Sequence, residues 1–175
     1  IGLNRPAAIE KFPQLFPGCP ESGEACLQRY RAWMDDYIRE NGVPVKPGLR
    51  ELLAWLKQAH ILCAVATSTF TNVAIGYLKN AGVLNCFAAI VGGDQVTKSK
   101  PDPEIFQLAM RALGKQTPET CVVFEDSRNG LLAGANGGFP VIVVPDLFDP
   151  TLELPGLCYA KCARLDEAID VIQNS

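Results

Sequence analysis

From Ser22 to Arg39 the apolar residues Cys26, Leu27, Tyr30, Met34, Tyr37 and Ile38 return at close to the helical period, which predicts an α-helix with one apolar face. Asn41-Gly42-Val43-Pro44 stops it, since glycine and proline both disfavour further turns of helix. Upstream, Leu3 to Phe12 predicts a short helix and Pro13 to Pro20 a turn-rich connector. Nothing in residues 1–42 alternates like a strand.

Beyond Pro47 the pattern changes. Leu49, Leu52, Leu53 and Leu56 fall on one helical face, and Ile61 to Ala66 follows as a continuous apolar run, the mark of a strand buried on both sides. Thr71 to Asn80 reads as a helix closed by Gly82, and Phe87 to Val91 as the next strand. Asp102 can cap a helix with Pro103 at its first position; Ile105, Phe106, Ala109, Met110 and Leu113 form its buried side, and Gly114 ends it. Thr120 to Phe124 is a third strand. Ser127 caps a helix through Ala135, Gly137-Gly138 terminates it, Val141 to Val144 is a fourth strand, and Leu165, Ala168, Ile169 and Ile172 line a last helix. Strands alternating with helices predict an α/β fold, a doubly wound parallel sheet covered on both faces, with residues 1–42 as an accessory helical lobe and 43–175 as the core. Ligands of such sheets sit beyond the carboxyl ends of the strands.

Composition narrows the picture. With 175 residues and 48% hydrophobic content the chain can bury a core, and a net charge of −3 gives no electrostatic footprint for nucleic acid or an anionic membrane. No apolar run reaches the roughly 18 residues of a membrane span, and the N-terminus lacks a secretory pattern, so a cytoplasmic protein is expected. Ile1 is not a natural initiator, which leaves a preceding segment open. Seven cysteines form no C-x-x-C pair and read as reduced packing residues. A single histidine, His60, argues against a histidine-rich metal site or a histidine-based triad.

Three polar clusters fall just past predicted strand ends. Thr67-Ser68-Thr69 follows the first strand, where hydroxyls and backbone amides can donate to a phosphate oxygen or simply cap the next helix. Lys98-Ser99-Lys100-Pro101-Asp102-Pro103 holds a lysine in a proline-stiffened loop, either a fixed counter-charge for a phosphoryl group or a solvated surface lysine. Glu125-Asp126-Ser127 ends the third strand; adjacent carboxylates repel unless a cation is near, and Mg²⁺ is the hard, oxygen-seeking partner, the alternative being a capped, solvated loop.

The run Ala66-Thr67-Ser68, then Ser99-Lys100-Pro101-Asp102-Pro103-Glu104-Ile105-Phe106, then Phe124-Glu125-Asp126-Ser127 with Gly130, Ala133 and Gly138 beyond, resembles motifs two, three and four of haloacid dehalogenase-like hydrolases. Within that superfamily it is similar to the phosphatases and β-phosphoglucomutases with a helical cap. The resemblance implies a Rossmann-like core. It also implies that Thr67, with Ser68 as the weaker candidate, binds the transferring phosphoryl group, and that Lys100 holds nucleophile and phosphate together. Glu125 and Asp126 would support Mg²⁺, with Asp126 as the direct ligand. Residues 1–42 would be part of the cap, and Arg5, Lys11 and Arg29 are candidates to line it. The implied activity is hydrolysis of a small phosphorylated metabolite through an aspartyl-phosphate, with a phosphosugar mutase as the near variant. A dehalogenase fits less well because that branch does not need the paired acids.

One departure matters. Members of that family begin with an apolar strand ending in Asp-x-Asp, whose first aspartate attacks phosphorus, and no such segment occurs here. Asp35-Asp36 lies in a predicted helix, and Asp146 and Asp149 follow the final strand. The missing strand would be central, between those ending at Thr67 and Glu125. Its omission would leave backbone groups unpaired at about 1–3 kcal/mol each. The expectation is that this strand and its nucleophile lie outside residues 1–175, on a longer polypeptide or a second chain. Without a nucleophile, the same residues describe a non-catalytic phosphate- and Mg²⁺-binding domain. A response-regulator receiver also places acids, a hydroxyl and a lysine around Mg²⁺, but in another strand order.

Overall fold

The computed structural model describes residues 5–174, with side chains from residue 8 onward. Leu3 and Asn4, where the first predicted helix begins, lie outside the described residues, as does the Arg5 side chain. Helix α1 (Arg5–Leu15) packs on α2 (Gly23–Asn41) at Gly23, where a Cβ would come 2.7 Å from that of Phe12. Ser22 caps α2 by accepting from the Ala25 amide at 3.2 Å. Gly42, at a φ of 76°, ends it by donating to the Ile38 carbonyl. The predicted apolar stripe divides: Cys26, Leu27, Met34 and Ile38 are half-buried, whereas Tyr30 and Tyr37 turn outward and flank Trp33, with ring centroids 6.3 and 5.7 Å apart.

The core alternates as expected: α3 (Leu49–Gln58), β1 (Ala64–Ala66), α4 (Thr71–Asn80), β2 (Ala89–Val91), α5 (Glu104–Ala112), β3 (Val123–Glu125), α6 (Arg128–Asn136), β4 (Val141–Val143), β5 (Ala160–Lys161) and α7 (Ala168–Gln173). All strand pairs are parallel. Strand β4 is buried throughout and shows why the fold has two covered faces. Val141 and Val143 pack with Ile105, Phe106, Met110 and Leu131, while Ile142 and Val144 pack with Leu52, Leu56, Leu165 and Ala168. Each fully buried aliphatic side chain contributes about 1.5–3 kcal/mol.

The sheet is in two pieces. Strand β1 pairs with β2, in register Val65 to Ile90, and β3 pairs with β4 and β4 with β5, but no ladder joins β1 to β3. This alters the predicted first strand. Only Ala64–Ala66 is strand, all three residues are half-exposed, and Ile61 and Leu62 are 41% and 58% exposed. An apolar run stays buried on both sides only if strands flank it, and β1 has β2 alone. Strand β5 was not expected; two residues of strand carry no periodic signal. Helix α5 begins one residue later than predicted, at Glu104, although Asp102 still accepts from the Glu104 amide at 3.0 Å. No described helix is long and apolar enough to cross a membrane. His60 is exposed, in left-handed backbone after α3.

Candidate functional site

Strand β1 delivers Thr67 and Ser68 to its carboxyl end, β3 delivers Glu125 and Asp126 to its own, and the loop before α5 carries Lys100 between them. The three clusters expected from sequence therefore meet. Lys46, Ala66, Thr67, Ser68, Lys100, Glu125 and Asp126 line one open cavity of about 320 Å³. The position is the crevice where the chain order reverses, with β2 outward of β1 on one side and β4 and β5 outward of β3 on the other.

Thr67 is anchored by its amide, which donates to the Val91 carbonyl at 3.0 Å and extends the β1–β2 pairing by one residue. Its hydroxyl accepts from the Thr69 amide at 3.1 Å and bends the chain toward α4. The turn is also held from β2. Asp94 accepts from the Thr71 amide and hydroxyl at 2.7 and 2.8 Å, and those bonds hold its carboxyl below the usual range. Gly93 allows the close approach this requires, because a Cβ there would lie 2.5 Å from the Ser68 carbonyl oxygen.

Lys100 is buried, its side chain 7% exposed against 8% for Glu125. Its ammonium is paired with Glu125 Oε1, lies 3.5 Å from the Ala66 carbonyl oxygen and sits 4.6 Å from the centroid of the Phe106 ring. One side chain thus touches both halves of the divided sheet. The other carboxylate oxygen of Glu125 accepts from the Ser127 hydroxyl at 3.0 Å and from the amides of Asp126 and Ser127 at 3.3 and 3.4 Å. Ser127 in turn accepts from the Gly130 amide at 3.0 Å as the cap of α6. The loop leading to Lys100 is pinned by Glu104, whose carboxylate accepts from Thr97 and from the Lys98 amide, which lowers its pKa.

The two adjacent acids consequently have different environments. Both oxygens of Glu125 are taken by the protein, whereas Asp126 is 38% exposed at the cavity and, among the described residues, pairs with the Lys46 ammonium, 3.4 Å from its Oδ2. Among the described residues no group of three histidines, cysteines or acids could enclose a metal ion. Mg²⁺ does not require one, since it binds through one or two carboxylates together with phosphate oxygens and retained waters. Asp126 fits that role as a direct ligand, and Glu125 fits one of orienting Lys100.

Lys46 was absent from the sequence reading. It stands alone before Pro47-Gly48, and the Val144 carbonyl it bonds is 98 residues away, so no local pattern marks it. Of the cap candidates, Lys11 is exposed and Arg29 is paired with Glu21 at 2.8 Å; neither lines the cavity.

A family model described as a hydrolase, haloacid dehalogenase-like hydrolase, matches residues 3–138. The phosphorylated carbohydrates phosphatase of Thermotoga maritima is 42% identical over 103 residues, covering 59% of this chain and 45% of its own length. The crystal structure of CbbY from Rhodobacter sphaeroides in complex with phosphate is similar at a TM-score of 0.71 and 29% identity, over 86% of this chain and 67% of that one. The β-phosphoglucomutase of Clostridium difficile shares the fold at a TM-score of 0.79, with 20% identity over 99% of this chain and 77% of that one. The chain spans about half the length of the curated relatives it matches.

Proposed function

The chain belongs to the haloacid dehalogenase-like hydrolases, and from that premise we propose that it forms most of a Mg²⁺-dependent phosphatase acting on a small phosphorylated metabolite. The observation that carries this reading is the gap between β1 and β3, where two parallel strands end at one cavity and Lys100 touches both. A further parallel strand in that gap would pair both edges and bring its last residue to Lys100, Thr67 and Asp126. A carboxylate there is the nucleophile of the reading. It lies outside residues 1–175, on the same polypeptide or on a second chain.

The roles of the residues follow from their surroundings. Thr67 and Ser68 offer hydroxyls and amides to non-bridging phosphate oxygens. Lys100 is held rigidly by Glu125, so its charge is in place before substrate arrives and stabilises negative charge building on the transferred group. Attack of the carboxylate on phosphorus would expel the alcohol and leave an acyl phosphate, which water then hydrolyses. When bound at Asp126, Mg²⁺ supplies charge neutralisation between the entering carboxylate and the phosphate. The support from relatives is that one of them is a phosphatase of phosphorylated carbohydrates and another was crystallised with phosphate.

The test is release of inorganic phosphate from p-nitrophenyl phosphate by the full-length polypeptide, with and without Mg²⁺. Activity that requires Mg²⁺, nearly disappears in Lys100→Ala and loses much of its Mg²⁺ dependence in Asp126→Asn is the expected result. Unchanged kinetics in both variants would defeat the assignment, and a full-length protein that binds phosphate but never turns over would make it a binding domain.

A further inference from the structure

Lys46 lies in the loop between α2 and α3, far from the motifs that carry the proposed activity, yet its ammonium is the group that meets Asp126. Four oxygens surround it. It donates to the Val144 and Pro145 carbonyls at 3.2 and 3.4 Å, and it stands 3.4 Å from Asp126 Oδ2 and 3.8 Å from Asp146 Oδ2. The two carbonyls hold the ammonium at the end of β4, within 4 Å of both carboxylates. The Lys46 side chain is 28% exposed, Asp126 38% and Asp146 67%, so the cluster lies at the solvent-facing rim and not in the core.

An ammonium 3.4 Å from an exposed carboxylate competes with a divalent ion for the same oxygen. We infer that Lys46 is a positioning residue of this site: it holds the Asp126 carboxylate in the ion-free protein and yields it to an entering divalent cation by turning to Asp146. The inference rests on the proposed role of Asp126. Lys46 keeps Asp126 aimed at the cavity, and Asp146 provides the second resting place that makes the exchange cheap. Repulsion between a unit charge and a divalent ion a few ångströms apart in well-solvated surroundings corresponds to roughly tenfold in a binding constant, less at high salt.

Titration calorimetry of Mg²⁺ into the substrate-free full-length polypeptide tests this, with thermal unfolding run on each variant to confirm a folded sample. Lys46→Met should tighten Mg²⁺ about tenfold, and Lys46→Arg should leave it within about twofold. Asp146→Asn should weaken Mg²⁺ by roughly two- to fourfold, since the ammonium then has Asp126 alone, and its effect should shrink markedly in the Lys46→Met background. Opposite signs for a cation and an anion follow from charge alone, so the coupling between the two variants is what distinguishes exchange through Lys46. Weaker or unchanged binding in Lys46→Met, or an Asp146→Asn effect of the same size with and without Lys46, overturns the inference while leaving the metal site standing. A wild-type chain that binds no Mg²⁺, or whose Mg²⁺ binding is unaltered by Asp126→Asn, overturns the role of Asp126 and the inference with it.

Discussion

Replacing Lys100 with methionine keeps the length of the side chain and removes its charge, which turns a buried ion pair into a lone buried carboxylate. Glu125 would retain the Ser127 hydroxyl at 3.0 Å and two longer amide contacts, but nothing would neutralise it at 8% exposure. Removing one partner of such a pair costs about 3–5 kcal/mol. The remaining hydrogen bonds and the adjoining cavity place the expected loss at the lower end, about 3 kcal/mol. For a chain of this size each kcal/mol is worth roughly 2–4 °C, so the unfolding midpoint should fall by about 6–12 °C. The double variant Lys100→Met with Glu125→Gln removes both charges and should recover to within about 1 kcal/mol of wild type. Urea unfolding at neutral pH, followed by circular dichroism, measures the whole cycle. A single variant that loses less than about 1 kcal/mol, or a double variant whose loss equals the sum of the two singles, would show that the pair is not coupled as its geometry requires. Neither variant should turn over substrate, so stability and activity separate in the double variant.

Acid should release the hinge between β2 and α4. Asp94 has a folded-state pKa below its unfolded value, so its contribution is complete above about pH 3.9 and is lost as pH falls through the folded pKa. The stability of Asp94→Asn should therefore fall less steeply than that of wild type at the acid end, and parallel pH profiles would refute this. Gly130→Ala would put a Cβ 2.0 Å from the Glu125 carboxyl carbon and should cost about 1–3 kcal/mol in urea unfolding. Gly76→Ala in α4 has nothing within 4 Å of the added carbon and should gain about 0.5–1 kcal/mol; a reversed order of these two glycine variants would contradict the packing described around Glu125.

The amino-acid sequence alone was enough to place most elements. Helix α4 runs from Thr71 to Asn80 as expected, and Ser127 caps α6, because apolar period and capping chemistry act over a few residues. It was also enough to put Thr67, Glu125 and Asp126 just past strand ends and Lys100 in the loop that follows β2, which the fold gathers at one cavity. Local reasoning erred where burial depends on a neighbour. Ile61 and Leu62 read as buried strand but are exposed, and Tyr30 and Tyr37, which share the apolar stripe of α2, are exposed where its other members are half-buried.

Tertiary structure decided which of two adjacent acids is buried against Lys100 and which is exposed at the cavity. Nothing in Glu125-Asp126 says that the first turns inward to Lys100 and Ser127 while the second faces the cavity; the alternation of side chains along β3 and the position of Lys100 make that choice. The same holds for Lys46, whose carbonyl partners lie 98 and 99 residues away along the chain. Pattern is a property of neighbours along the chain, whereas an electrostatic partnership is set by distance in space, and only the folded sheet converts one into the other.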